Sequence, residues 1–185
     1  MDNVEKIKQL IKDEIYNSDY IGSWFFGEHL LGVEKNVKFL LNNLLQADKE
    51  IVMLGVWLHD LQRIRGIKGD HQKIGAEEAE KVLNKYDYKK DVIEKVKKII
   101  LCHSCDDVMP ETLEEKILAS ADAMSHYYND FYLRIATLGQ RNLEEFRKWV
   151  LEKIDRDYNK KIFFDFAKEK IKFNHDTLVN LLRMR

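Results

Sequence analysis

A chain of 185 residues, 34% charged and 45% apolar, is long enough to bury roughly two thirds of its unfolded surface as one domain. Thirty-one basic against thirty-two acidic residues leave a net charge of -1, which removes any global electrostatic reason to expect nucleic acid or an anionic membrane as a partner. One proline and eight glycines suit long surface helices better than many short strands joined by turns, so an all-α fold is expected.

Apolar spacing places helices at residues 2–17, 28–46, 48–61, 71–86, 89–104, 111–132, 142–159 and 161–183, seven to eight in a single-domain bundle over 1–185. The ligand-bearing core falls at 24–132, with the C-terminal helices of 140–183 packing on it. The opening stretch "MDNVEKIKQLIKDEIY" is charged and amphipathic rather than a secretion signal. No apolar run approaches the roughly 20 residues that span a bilayer, so a cytoplasmic protein is expected. Asp48 is a plausible N-cap for the apolar run Ile51 to Leu58. The two glycines of "RGIKGD" and the sole proline of "DDVMPET" mark loops, and Pro110 can open the helix that follows. Cys102 and Cys105 have C-x-x-C spacing, but no βαβ pattern surrounds them and no second cysteine pair exists to complete a thiolate site. They read as ordinary helix residues of a reducing compartment.

"VWLHDLQRI", residues 56–64, ends a strongly apolar run on His59 and Asp60, two polar groups that need partners. Other polar residues also fall on apolar faces, since residues three, four, seven and eight apart share a side of a helix. His29 aligns with Val33, Val37 and Leu40, and His71 opens a stripe through Ile74, Ala79 and Leu83. His103 closes one made by Val92, Val96, Ile99 and Ile100, and Asp122 lies with Ile117, Leu118 and Ser125. A single inward histidine is more often a hydrogen-bonded core residue than a ligand. An inward aspartate needs a cation or several donors, because an unpaired buried carboxylate is costly. Six such groups in one small core point jointly to metal. Imidazole and carboxylate without thiolate suit Mn²⁺, Fe²⁺, Ni²⁺ or Zn²⁺ rather than the all-oxygen preference of Mg²⁺ and Ca²⁺. Asp60 has two oxygens and can bridge two ions, leaving His71 and His103 for the second.

Taken in order, His29 in "FFGEHLLGVEKNV", His59 and Asp60 in "WLHDLQRI" and Asp122 in "ILASADAMSHYY" resemble the H…HD…D signature of the HD superfamily of metal-dependent phosphohydrolases, an all-helical family. "GDHQKIGAEEAEKVL" and "KIILCHSCDD" are similar to the segments that carry two further histidines in two-metal members. The resemblance implies a first divalent transition metal on His29, His59, Asp60 and Asp122. His71 and His103 would hold a second with Asp60 bridging, or would hold phosphate as in one-metal members. Arg63 falls where many members carry a cation that meets substrate phosphate; a nucleotidase subgroup has a catalytic glutamate there, and this chain departs from it.

The implied activity is hydrolysis of a phosphoester or phosphoanhydride by metal-activated hydroxide, on a nucleotide or a related small phosphorylated molecule. Asp60 and Arg63 are the catalytic candidates. Arg63 and Lys73, with Lys116 further out, are the candidate substrate contacts; for each lysine the competing reading is a solvated surface charge. Trp24, Phe25 and Phe26 either wall a base-stacking site beside His29 or fill the core. His126 is either an auxiliary proton donor or phosphate contact, or a residue behind the ligands or at the surface; His175 reads as structural or exposed. The alternatives to hydrolysis are a di-iron oxygenase on the same ligand set and a non-catalytic nucleotide-binding module. Neither membrane nor nucleic acid is an expected partner, and a homo-oligomer is left open.

Overall fold

Helices begin where a side chain can take up the free amide groups of a first turn. In the computed structural model, which describes residues 2–128 and 130–184, the chain runs α1 (Asn3–Tyr16), α2 (Leu31–Asn43), α3 (Lys49–Leu58), α4 (Leu61–Ile64), α5 (His71–Lys85), α6 (Lys90–Cys102), α7 (Leu113–Ser125), α8 (Phe131–Thr137), α9 (Leu143–Arg156) and α10 (Asp165–Arg183). A π-helical turn over Phe25–Leu30 leads into α2 and a second, over Asp157–Lys161, follows α9. Asp2, Asp48 and Asp70 cap α1, α3 and α5 through their carboxylates. Thr112 with Glu115, and Asn142 with Glu145, form reciprocal capping boxes on α7 and α9. The described residues contain no strand, and the fold is all-α. No described helix is long and apolar enough to cross a membrane.

Every residue of α3 from Ile51 to Leu58 is buried, because the helix is packed on by α1, α2, α6 and α7. Close approach at one crossing depends on Gly55, where an added Cβ would stand 3.0 Å from both Ile99 Cγ2 and Leu118 Cδ2. At Gly75 a Cβ would come within 3.3 Å of the His59 carbonyl oxygen, so a glycine lets α5 press against the end of α3. That contact carries His71, at the start of α5, toward His59 and Asp60.

Several boundaries differ from the expectation. The helix expected over 48–61 stops at Leu58, and His59 and Asp60 form a turn from which the Asp60 carbonyl starts α4 by accepting from Arg63 N and Ile64 N. The helix expected over 111–132 ends at Ser125, although its apolar period continues. Ser125 Oγ donates to Asp122 O at 2.7 Å, and Asn174 Nδ2 donates to Tyr127 O at 3.1 Å, so side chains satisfy carbonyls that another helical turn would have used. Asn129, within that expected span, lies outside the described residues, as do Met1 and Arg185. Pro110 precedes α7 without opening it, since Thr112 is the cap. The last helix begins at Asp165 rather than at 161, because Ile162 is extended and its amide closes the π-helical turn on Asp157 O.

Candidate metal centre

His59 and His103 are the C-cap residues of α3 and α6, where the last carbonyls of a helix lack partners. Each imidazole satisfies one of its own helix: Nδ1 of His59 donates to Val56 O at 2.9 Å, and Nδ1 of His103 donates to Ile100 O at 2.6 Å. A carbonyl can only accept, so in both rings the proton is on Nδ1 and a lone pair is left on Nε2. Gln62 Nε2 donates to Ile67 O, which turns its Oε1 to accept from His71 Nδ1 at 3.1 Å. Ser125 has committed its hydroxyl proton to Asp122 O and offers a lone pair to His29 Nδ1 at 3.4 Å. Four rings, anchored from four directions, thus aim Nε2 at one place, the arrangement by which proteins orient histidine ligands.

Asp60 stands between them. Its Oδ2 lies 3.0 Å from His29 Nε2 and 3.3 Å from His59 Nε2, while its Oδ1 lies 3.1 Å from His71 Nε2. His29 Nε2 is also 3.3 Å from His59 Nε2 and 3.6 Å from Asp122 Oδ1. The donors form two groups, His29, His59 and Asp122, and Asp60, His71 and His103, each with ligand atoms within 4.8 Å of one another. Ligand atoms at such distances repel unless a proton or a metal cation lies among them. Bonds of roughly 2.0–2.2 Å to a shared ion put neighbouring ligands about 3.0–3.5 Å apart, which is the spacing found here. His71 Nε2 is buried 3.1 Å from Asp60 Oδ1 yet makes no hydrogen bond, which leaves it available to a metal. Both groups could therefore hold a metal ion.

The electrostatics keep Asp60, Asp122 and His103 in the ligating form. Burial alone would push the Asp60 carboxyl up, but His59, Arg63 and the hydrogen bond with His29 outweigh it and hold it well below the usual range. Burial likewise opposes ionisation of Asp122, and the Lys161 charge, aided by His126, His29 and His59, holds that carboxyl well below its ordinary value. Burial brings His103 down to about 3, so its imidazole is neutral. His59 moves the other way: desolvation would lower it, but the Asp60 and Asp122 carboxylates raise it. Without a cation a proton fills the space between them, and a divalent ion would displace it.

All six expected ligands meet in this cluster, and five of them, all but the fully buried His59, line a cavity of about 440 Å³. Arg63 also lines it; its Nε is 3.0 Å from Asp60 Oδ1 while 58% of the side chain remains exposed, leaving the rest of the guanidinium open to a ligand. Lys73 is not brought to the cavity. It pairs with Asp70 at 3.0 Å across the first turn of α5 and is 71% exposed, outside the lining of the cavity. Lys116 is also outside the lining. Of the aromatic trio only Phe25 faces the cavity, 4.7 Å from the His29 ring, whereas Phe26 stacks on Trp57 in the core. Cys105 lies past the end of α6 at φ 54, not within a helix. Burial pushes the Cys102 and Cys105 thiols up to about 12 and about 11, so neither is a nucleophile at neutral pH. His175 stacks on Tyr158 at 4.2 Å and does not line the cavity.

Behind the ligands, sequence reasoning named His126 but missed Lys153, Asp157 and Lys161. Lys161 is 2% exposed and donates to Asp122 Oδ2 at 2.6 Å, leaving Oδ1 turned toward His29. Asp157, fully buried, accepts on one oxygen from both His126 Nδ1 at 2.9 Å and Lys153 Nζ at 2.8 Å. His126 is buried and faces the cluster, its Nε2 3.7 Å from Asp122 Oδ1, and burial with the Lys153 charge brings it down to about 4. A signal existed: Val150, Ile154, Asp157 and Lys161 keep the spacing of one inward helix face.

The HD domain family matches residues 26–126, more than half of the chain, and the protein belongs to that family. A predicted HD superfamily hydrolase from an uncultured Thermotogales bacterium superposes with a TM-score of 0.66 at 18% identity, over 97% of this chain and 88% of its own. An HD-superfamily hydrolase from Bacillus thuringiensis does so with a TM-score of 0.70 at 15% identity, over 97% and 92%. At these identities the likeness is one of fold. The matched region contains all six ligand candidates; Lys153, Asp157 and Lys161 lie beyond it.

Proposed function

We propose that this protein is a metal-dependent phosphohydrolase that cleaves a phosphoester or phosphoanhydride of a small phosphorylated molecule, a nucleotide first among them. The observation that carries the reading is Asp60, whose two oxygens each face a separate set of inward imidazole lone pairs in a cavity also lined by Arg63, Arg141, Lys153, Arg156 and Lys161. His29, His59, Asp60 and Asp122 would hold one divalent ion, and His71 and His103, together with Asp60, would hold a second. Mn²⁺, Fe²⁺, Ni²⁺ or Zn²⁺ suits such a donor set. When bound, the metal supplies Lewis acidity, polarising phosphoryl oxygens and making hydroxide available near neutral pH.

The chain's own residues do the rest. Lys161 fixes Asp122 so that one oxygen faces the ligand cluster. Arg63 keeps its outer nitrogens free to meet charge that develops on the phosphoryl oxygens. Phe25, Phe131 and Trp149 give the cavity an apolar wall against which a base can stack. The cations that line the cavity suit a phosphorylated substrate, which is why hydrolysis is preferred to the oxygenase alternative. The two free, buried cysteines fit a reducing compartment such as the cytoplasm.

The test is metal content by plasma mass spectrometry on protein purified without affinity metal or chelator, paired with phosphate release from a nucleotide panel. About one to two equivalents of metal, lost together with turnover in Asp60→Ala, is the expected result. Dioxygen consumption with iron alone would replace hydrolysis by the oxygenase reading. No stoichiometric metal after reloading would leave a binding module.

A further inference from the structure

Beyond the matched HD region, the segment from the loop before α9 to the end of its π-helical turn contributes four cations to the cavity wall: Arg141, Lys153, Arg156 and Lys161. Lys161 is accounted for by Asp122. The other three are not needed by the ligand cluster, and their local partners leave them incompletely neutralised. Lys153 shares a single Asp157 oxygen with His126, is only 12% exposed, and is pushed down from its ordinary value by burial, with Lys161 adding to the effect. Arg156 gives Nη1 to Asp106 Oδ1 at 3.2 Å, yet its Nε is buried with no acceptor. A buried guanidinium N–H without an acceptor is a defect in a finished core and a vacancy in a binding site. Arg141 lies over the Trp149 ring at 4.7 Å, which holds its planar fork at the same wall.

Lys153 and Arg156 have ion-pair partners other than that of Arg63, which meets Asp60. Between Lys153 and the ligand cluster come Asp157 and then His126, whose far nitrogen reaches Asp122. An anion held by Lys153 and Arg156 would then be a different group from a phosphoryl held at the ligand cluster beside Arg63. We propose that Lys153 and Arg156, with Arg141, form a second phosphoryl subsite, so that the substrate carries at least two phosphoryl groups, one presented for cleavage and one held by α9. The assignment rests on the phosphohydrolase reading for the first group, and on the α9 cations alone for the second. It makes the C-terminal segment the specificity element of a cavity whose ligand cluster comes from the HD region.

The probes are methylenediphosphonate and methylphosphonate, neither of which has a cleavable phosphoanhydride, titrated calorimetrically into metal-loaded protein. Wild type is expected to bind the diphosphonate about tenfold or more tightly than the monophosphonate, as paired charge-assisted hydrogen bonds imply. Arg156→Gln and Lys153→Met should each bring that ratio toward one with metal content unchanged. Because Lys153→Met removes a partner of buried Asp157, Arg141→Gln in the exposed loop serves as the variant least able to disturb folding. Equal affinity for the two probes in wild type, or an unchanged ratio in all three variants, overturns the subsite. If the protein takes up no metal, the hydrolase reading fails instead, and the same ratio measured on metal-free protein still tests the α9 site.

Discussion

Replacing Lys161 by methionine separates the two jobs of its ammonium group. Lys161 and Asp122 are 2% and 6% exposed and 2.6 Å apart, so solvent screens the pair little. Removing one partner of a buried pair leaves an uncompensated charge and costs about 3–5 kcal/mol. In a domain of this size that corresponds to a melting point lower by roughly 6–20 °C. A metal held by Asp122 would supply the missing positive charge, so the loaded variant should lose clearly less than the metal-free one. By linkage, added metal should then raise the melting point of Lys161→Met by more than it raises that of wild type. Thermal unfolding followed by circular dichroism, with and without Mn²⁺ or Zn²⁺, reads both quantities. Equal losses in the two states would refute the claim that lysine and metal share Asp122, and a loss below about 1 kcal/mol would refute the buried-pair argument itself. In wild type the pair responds at both ends of the pH scale: Lys161 lies above its unfolded value of 10.5, so its contribution is complete below pH 10.5 and is lost as pH rises through the higher folded value, while Asp122 lies below 3.8, so its contribution is complete above pH 3.8 and is lost as pH falls through the lower folded value.

Lys73→Ala should leave metal content and phosphate release unchanged, since that side chain is exposed, paired with Asp70 and away from the cavity; a loss of turnover would return it to the substrate site. Trp57→Ala, in the most enclosed helix, should cost about 3–5 kcal/mol in denaturant unfolding, because the ring is fully buried and touched by Phe26 and Lys8. Glu34 accepts from Lys8 at 3.1 Å and Lys38 at 2.9 Å; burial opposes its ionisation, but the two lysines hold its pKa below 4.5. Its contribution is therefore complete above pH 4.5 and lost as pH falls through the lower folded value. The stability gap between wild type and Glu34→Gln should close over that acid window, and a constant gap from pH 7 to pH 3 would contradict it.

Much of this protein is local information. The caps Asp48 and Asp70, the single proline and the 3.6-residue period determine an all-α chain, and the same period puts His29, His71, His103 and Asp122 on inward faces before any tertiary contact is known. Where helices stop is less local. The apolar period runs through Leu58 and Ser125 without interruption, and the breaks come from carbonyls taken by side chains, including one from Asn174, 47 residues away. The partner of a buried charge is not local at all. Any of several lysines has the chemistry to neutralise Asp122, and only the π-helical turn after α9 brings Lys161 to it across 39 residues. The orientation of the four candidate ligand histidines was decided the same way, by the carbonyl, amide or hydroxyl that each Nδ1 meets once the helices pack. Periodicity reports which side of a helix avoids water, whereas hydrogen bonds and ion pairs depend on which atoms the folded chain brings within about 3 Å of each other.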